Sequence, residues 1–376
     1  MSAPDAPPAR RLDDLLDLAV EMGASDLHLV SGESPIVRVM GALARLRVAP
    51  VTAAEFEAMI RAVAPRTVWE QFSRTGDLDW SYANDLGRFR VNLFRQERGP
   101  AAVFRQVPSS SLSFDALGLP QQVRHLTDYG SGLVLVTGPT GSGKSTTLAA
   151  LIDDLNRRKR LHILTIEDPI EFVHSNRLSR VTQREIGANA RTFSEALRVA
   201  MREDPDVILV GELRDLETIS MALQAGETGI LVLATMHTNS ASRTVDRLVN
   251  VFPAHEQDAV RGMAAGVLRA ILAQQLLPCR TGGRAPACEL LFWSTGLPNM
   301  IREGKPHLID NLIRTGRRQG MIAMDESLLD LARRRAVESR EAYDRAIDKG
   351  AFRKGARRGW TWPGAALPRH DGPPPC

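Results

Sequence analysis

Hydrophobic and polar positions along this chain repeat with two different periods, and the change from one to the other divides it. Near the start, Leu12, Leu15, Leu16, Ala19 and Val20 recur at helical spacing and stop at Gly23, which predicts an amphipathic helix. Asp26–Val30 and Ile36–Met40 read as strands, the second running into a turn at Gly41. Thr52 is the expected N-cap of a helix carrying Phe56, Met59, Ile60 and Val63. Asp77–Tyr82, Gly87–Phe94 and Ala101–Val107 then alternate with period two, giving three more strands. Together these elements predict a small α+β domain over residues 11–107, preceded by a Pro/Ala-rich, disordered stretch at 1–10. Pro108-Ser-Ser-Ser-Leu-Ser113 reads as the linker that follows it.

After the linker the pattern changes. Short apolar runs at Leu133–Thr137, His162–Ile166, Val207–Val210 and Ile230–Thr235 are interleaved with helical spacing at Ser194–Glu203 and Leu216–Ala225. Uninterrupted apolar strands are expected where a parallel sheet is covered on both faces, so residues 114–295 predict an α/β domain. Strand signals fade beyond it. Met324–Arg335 and Ser339–Asp348 have helical spacing, which makes 296–354 a helical region. From Gly355 to 376 the composition turns to Gly, Pro and Arg, a basic tail expected to be disordered.

The strongest chemical signal lies at the end of the first apolar run of the α/β domain. Gly132–Thr137 leads into Gly138-Pro-Thr-Gly-Ser-Gly-Lys-Ser145, which fits G-x-x-x-x-G-K-[ST], and Ser145–Ile152 then reads as a helix. Glycines let backbone N–H groups close around phosphate oxygens, and the new helix points its positive end at them. Gly138, Pro139, Thr140, Gly141, Ser142, Gly143, Lys144, Ser145 and Thr146 are therefore the expected nucleotide-binding set. Lys144 is expected at the β- and γ-phosphates and the Ser145 hydroxyl on Mg²⁺, which makes the ligands ATP and Mg²⁺.

Composition sharpens this only a little. At 376 residues, with 43% hydrophobic and 24% charged positions, the chain is of ordinary globular type and has room for two or three domains. Its net charge of +4 (48 minus 44) is small and concentrated in the tail. Cys279, Cys288 and Cys376 have no metal-binding spacing and suit a reducing cytoplasm. No apolar run approaches the ~18 residues of a membrane span, and the opening residues lack the apolar core of a secretory signal. Any membrane association is expected to go through a partner.

Three further strand ends carry polar chemistry. Thr165-Ile-Glu-Asp-Pro-Ile-Glu-Phe-Val-His174 presents Glu167, Asp206-Val-Ile-Leu-Val-Gly-Glu-Leu-Arg-Asp215 presents Glu212, and Glu227-Thr-Gly-Ile-Leu-Val-Leu-Ala-Thr-Met-His-Thr238 presents His237. The carboxyl ends of strands in an open parallel sheet converge on the ligand crevice, so all three are expected near the γ-phosphate. Glu212 is assigned to the Mg²⁺ shell, through water, and Glu167 to orienting the attacking water. The sequence leaves these two roles interchangeable. Charge developing on the γ-phosphate also calls for a mobile cation. Arg88, Arg90, Arg98 and Arg105 stand on the last strands of the first domain or the turn between them, with ordinary exposed ladder charges as the alternative reading.

These blocks, in this order, resemble the secretion ATPases of bacterial type II secretion and type IV pili, and among them the PilT group of pilus-retraction motors of twitching motility. The likeness spans about residues 12 to 350. In family terms the P-loop is Walker A, Thr165–His174 the Asp box, Val207–Glu212 Walker B and Gly229–Thr238 the His box. Ala24-Ser-Asp-Leu-His28 and Asn299-Met-Ile-Arg-Glu303 also look like PilT-group signatures. The resemblance implies a PAS-like N-terminal domain and a RecA-like ATPase domain, with nucleotide between them. It also implies a homohexamer at the cytoplasmic, inner-membrane base of the pilus machine, working on a platform protein and removing pilin. In this frame His237 is the γ-phosphate sensor, and Arg90 and Arg105 match arginines that family members direct at the nucleotide.

Two departures stand out. Ile230 occupies the place of the first of two His-box histidines. In Gly296-Leu-Pro-Asn-Met-Ile-Arg-Glu303, Pro298 replaces an arginine of the retraction motors. An accessory nucleotide-binding ring assisting a paralogous retraction ATPase is the alternative these departures favour. A nucleic-acid translocase has only the basic tail to support it, and no recognition motif for nucleic acid accompanies that tail.

Overall fold

The computed structural model describes residues 11–39, 41–107 and 113–356. The expected disordered start at 1–10, most of the expected linker (108–112) and the tail from 357 onward lie outside the described residues.

The first body is a six-stranded antiparallel sheet in the order β3-β2-β1-β6-β5-β4. Its strands are β1 (Ala24–Val30), β2 (Ile36–Val39), β3 (Ala42–Arg45), β4 (Asp77–Asn84), β5 (Gly87–Gln96) and β6 (Gly99–Val107). Helices α1 (Leu12–Glu21), α2 (Ala53–Val63) and α3 (Arg66–Thr75) accompany it. The Leu12, Leu15, Leu16 and Ala19 stripe of α1 packs into one cluster with Phe56, Met59 and Ile60 of α2 and with Leu27, Val91 and Phe104 from the sheet. Thr52 caps α2 in a reciprocal box: its hydroxyl accepts from the Glu55 N–H at 3.2 Å, and its own N–H donates to Glu55 Oε2 at 2.8 Å. Helix α3 and strand β3 had no clear signature. Strand β3 is exposed along its whole length, and α3 buries only Phe72, so neither shows a strong apolar period.

The second body is a seven-stranded sheet in the order β13-β12-β7-β11-β10-β8-β9. Strands β7 (Gly132–Thr137), β8 (His162–Glu167), β9 (Arg180–Glu185), β10 (Val207–Val210), β11 (Leu231–Met236) and β12 (Leu268–Pro278) run parallel, and β13 (Arg284–Phe292) closes one edge antiparallel to β12. Every residue of β7, β10 and β11 is buried, as their unbroken apolar runs predict. Helices α4 (Lys144–Arg158), α5 (Phe193–Ala200), α6 (Leu216–Glu227), α7 (Ala241–Asn250) and α8 (Gln257–Val267) connect or flank these strands.

Three strands of this sheet went unassigned in the sequence. Strand β9 sits at the edge and buries only Glu185 outright. Strands β12 and β13 form a long hairpin that widens the sheet beyond β7.

The helical end consists of α9 (Leu297–Arg302), α10 (Ile309–Thr315), α11 (Met324–Arg333), α12 (Ser339–Arg345) and α13 (Lys349–Ala356). Met324, Leu328, Ala342 and Phe352 pack against Leu277 and Ala287 of the hairpin. Helix α13 therefore reaches past Gly355, whose carbonyl accepts from Arg333 Nη2 at 2.9 Å. The described helix thus runs two residues into the stretch expected as tail, with Phe352 buried in the same cluster. Pro298 sits in the first turn of α9, where a missing N–H costs nothing.

Candidate active site

A cleft of about 630 Å³ opens at the carboxyl ends of β7, β8, β10 and β11, and β5 of the first sheet forms part of its wall. Its lining includes Thr140, Gly141, Gly143, Lys144, Ser145 and Thr146, together with Glu167, Glu212, His237 and Arg90.

The P-loop folds tightly for two local reasons. Gly143 adopts φ 86° as the residue before α4, a left-handed conformation that side chains resist. Gly138 has φ 147°, and a Cβ there would collide with the Gln274 carbonyl and lie 2.5 Å from Ser142 Oγ. Lys144 Nζ donates to the carbonyls of Gly138 at 3.0 Å and Pro139 at 3.1 Å, so the ammonium lies within the curl of its own loop. Burial lowers its pKa, and the charges of Glu212 and Glu171 oppose that shift.

The two carboxylates differ in environment. Glu167 ends β8, accepts from Thr165 Oγ1 at 2.7 Å and from Gln183 Nε2 at 3.2 Å, and has its pKa raised because burial outweighs those bonds. Glu212 follows β10 by two residues. Burial pulls its pKa up as well, but hydrogen bonds and charge from Arg214, at 2.7 Å, and His237, at 3.2 Å, bring it below the ordinary value. Gly211 precedes it where most P-loop enzymes carry an aspartate. A Cβ there would lie 3.3 Å from the Ile166 carbonyl and 3.4 Å from Glu167 Cα, so β8 crowds the position.

The candidate arginines separate into distinct settings. Asp26, Arg105, Arg90 and Ser81 stand opposite one another across β1, β6, β5 and β4, so they form one row on one face of the first sheet. Arg90 lines the cleft with only a loose pair to Asp79 at 3.8 Å. Arg105 is its cross-strand neighbour but is not among the cleft residues. Its Nε donates to the buried Asp26 at 2.7 Å, which gives the acidic residue of Ala24–His28 a structural task. Arg98 pairs with Glu33 on the far turn at 2.9 Å. Arg88 reaches Glu185 of the second sheet at 2.7 Å. Ile230 is buried in the main core, so no polar group takes the place of the absent histidine.

Four contributors were not singled out in the sequence. Gln274 of β12 is buried, donates to the Ser142 carbonyl at 2.5 Å and accepts from the Thr147 hydroxyl at 2.8 Å, bridging the P-loop to the first turn of α4. Two glutamines inside an otherwise apolar run were the available signal. Arg214 fixes Glu212, Glu185 joins the two sheets, and Arg284 lines the cleft with Nη1 3.5 Å from the Gly141 carbonyl.

Among the described residues no cluster of three or more His, Cys, Asp or Glu could hold a metal by itself. Mg²⁺ takes few protein ligands and keeps water and phosphate oxygens. Ser145 and the ionised Glu212 are the residues on this cleft that would hold it.

The chain matches the family model described as type II/IV secretion system protein over residues 2–354. It is 45% identical over 336 residues to the "Type IV pilus retractation ATPase PilT" of Pseudomonas aeruginosa, covering 89% of this chain and 98% of that one. It is also 45% identical over 315 residues to a "Twitching motility protein" of Neisseria gonorrhoeae, covering 83% and 84%. Among solved structures, one described as the pilus retraction motor PilT with bound ADP superposes with a TM-score of 0.86 at 40% identity, over 92% of this chain and 99% of that one. The Legionella pneumophila ATPase DotB follows the same α/β fold at 29% identity and a TM-score of 0.72, over 90% and 96%.

Proposed function

The chain belongs to the type II/IV secretion system protein family as a PilT-type retraction ATPase, and we propose that it works as a homohexameric ring powering pilin removal and twitching motility. One observation carries this reading: the P-loop, two differently tuned carboxylates, a histidine and an arginine of the other sheet all line a single cleft. The antiparallel body is the PAS-like domain and the parallel body the RecA-like one, divided near residues 108–113. A helical region over 296–354 completes the second. No helix among the described residues is long and apolar enough to cross a membrane. The likeness to the pilus-retraction motors supports placing the ring on the cytoplasmic side of the inner membrane, against a pilus platform protein.

The proposed chemistry follows from the environments. Residues Gly138–Thr146 hold the triphosphate, with Lys144 at the β- and γ-phosphates. Glu212, kept ionised by Arg214 and His237, suits the Mg²⁺ shell together with Ser145; the bound ion would neutralise phosphate charge. Glu167, whose carboxyl burial holds above its ordinary pKa, is the stronger base of the two and orients the attacking water. His237 senses the γ-phosphate through its contact with Glu212. Arg90 faces the developing charge when the bodies close. Arg105, held on Asp26 outside its own cleft, is directed at nucleotide in the assembled ring.

The test separates binding from turnover. Lys144→Ala is expected to lose ATP affinity by on the order of tenfold to a hundredfold, since a charged hydrogen-bond donor to phosphate is gone. Glu167→Gln and Glu212→Gln are expected to bind nucleotide and lose turnover by about a hundredfold or more. Native-rate hydrolysis by Lys144→Ala would sink the reading. Specific activity that does not rise with protein concentration, in a chain that light scattering shows to be monomeric, would remove the ring.

A further inference from the structure

Glu185 lies at the end of β9, directly opposite Glu167 in the β8–β9 register, and it is 4% exposed. Its carboxylate is not part of the cleft lining, yet it gathers three donors from separate places. Ser81 Oγ of β4 donates to Oε1 at 2.5 Å, Arg88 Nη2 of β5 donates to Oε2 at 2.7 Å, and the Ile170 N–H donates to the same oxygen at 3.0 Å. The first two belong to the antiparallel body. The third belongs to the stretch after Glu167, whose Asp168, Pro169, Glu171 and Phe172 line the cleft.

The geometry has a direct consequence for Arg90. Arg88 and Arg90 are two residues apart on β5, so they project from the same face. Ser81 stands opposite Arg90 in the β4–β5 register. Glu185 therefore grips the antiparallel sheet on both sides of Arg90, once through its strand neighbour and once through its cross-strand partner. The same carboxylate also holds the loop beginning at Glu167. A buried carboxylate serving three donors is a stiff, charge-assisted junction.

We propose that Glu185 is a positioning residue that locks the two bodies in the closed arrangement, so that Arg90 and Glu167 face the γ-phosphate together. This rests on the ATPase reading above and on Arg90 acting at the phosphate. When the bodies part, Arg88 and Ser81 leave Glu185 and Arg90 leaves the cleft with them. The Ile170 bond stays within the second body. Hydrolysis is thereby tied to the movement of one body against the other.

The test uses the full-length chain and compares Glu185→Gln, Arg88→Met and Ser81→Ala, each alone and combined with Arg90→Ala, against Arg90→Ala by itself. Glu185→Gln and Arg88→Met are each expected to lower kcat by about ten- to a hundredfold, the loss of one charge-assisted hydrogen bond, with the KM for ATP within about threefold. Ser81→Ala is expected to lower kcat by about two- to tenfold. If the junction acts through Arg90, adding Arg90→Ala to Glu185→Gln lowers kcat no further than the worse single variant. A merely structural role would give additive losses or a rise in KM alone, and either overturns the proposal. Native kcat in Glu185→Gln and Arg88→Met, with Arg90→Ala still impaired, overturns the junction and leaves the ATPase reading intact. Native kcat in Arg90→Ala as well overturns the arginine's role itself. Should Glu185→Gln fail to fold, Arg88→Met and Ser81→Ala decide by the same criteria.

Discussion

Replacing Gln274 by leucine removes a side chain that touches no phosphate in the proposed site, yet the P-loop depends on it. Two hydrogen bonds go: Nε2 to the Ser142 carbonyl at 2.5 Å and the Thr147 hydroxyl to Oε1 at 2.8 Å. Ser142, Thr147 and Gln274 are each 2% exposed, so water cannot replace the lost partner without opening the loop. A buried polar group stripped of a partner costs about 1–3 kcal/mol. Two such groups, partly offset by the apolar character of leucine, give a net loss of about 2–4 kcal/mol. At roughly 2–4 °C per kcal/mol for a domain of this size, the melting temperature is expected to fall by about 4–16 °C. Nucleotide affinity is expected to fall as well, because the Gln274 amide packs against Gly143, where a Cβ would come within 3.0 Å of Nε2, and the loop loses that support. Thermal melts by circular dichroism and titration with a fluorescent ADP measure the two effects. Gln275→Leu, one residue along and partly exposed, is the control and is expected to stay within about 0.5 kcal/mol of the parent. A Gln274→Leu protein that melts and binds as the parent does would refute the reasoning.

Two further predictions concern the second body. Burial pushes the Glu289 carboxyl to about 7, against hydrogen bonds from the Ala241 and Met324 N–H groups and with the charges of Asp310 and Asp325 adding to the rise. Because its folded pKa lies above the unfolded 4.5, the folded chain keeps a proton that the unfolded chain has shed between these values. This group's contribution to stability is therefore full below about pH 4.5 and is lost as pH rises through about 7. Glu289→Gln is expected to flatten that slope in melts run from acid to mildly alkaline pH, and an unchanged slope would count against it. Pro298→Arg is expected to shift the melting temperature by no more than about 2 °C, since the position lies in the first turn of α9, and to leave hydrolysis intact while altering twitching. A large drop in melting temperature would make Pro298 structural, and unchanged twitching would remove it from the force path.

Legibility followed the range of the interactions involved. The P-loop could be read because its signal is local: an apolar strand, a glycine turn and a helix lie within about twenty residues. Strand ends carrying Glu167, Glu212 and His237 could be read because fully buried parallel strands leave continuous apolar runs that stop at the crevice. The family resemblance drawn from those blocks agrees with the matching family model and with the PilT relatives. Strands β9 and β12 were not legible for opposite reasons. Strand β9 is a polar edge with little alternation, while β12 follows α8 without a break, so its apolar run continues that of the helix.

By itself the sequence determined which residues could bind phosphate and carry a charge to it, since those capacities belong to residue types and short spacings. Tertiary structure alone decided which of them share a site. Gln274 reaches Ser142 across 132 positions because β12 lies beside β7, and Arg88 reaches Glu185 across 97 because the two sheets meet there. Arg90 and Arg105 look equivalent along the chain. A one-strand difference puts the first on the cleft and gives the second to Asp26, 79 positions away. Such partners are chosen by strand order and register, and those are set by burial summed over the whole domain, which no local window of sequence contains.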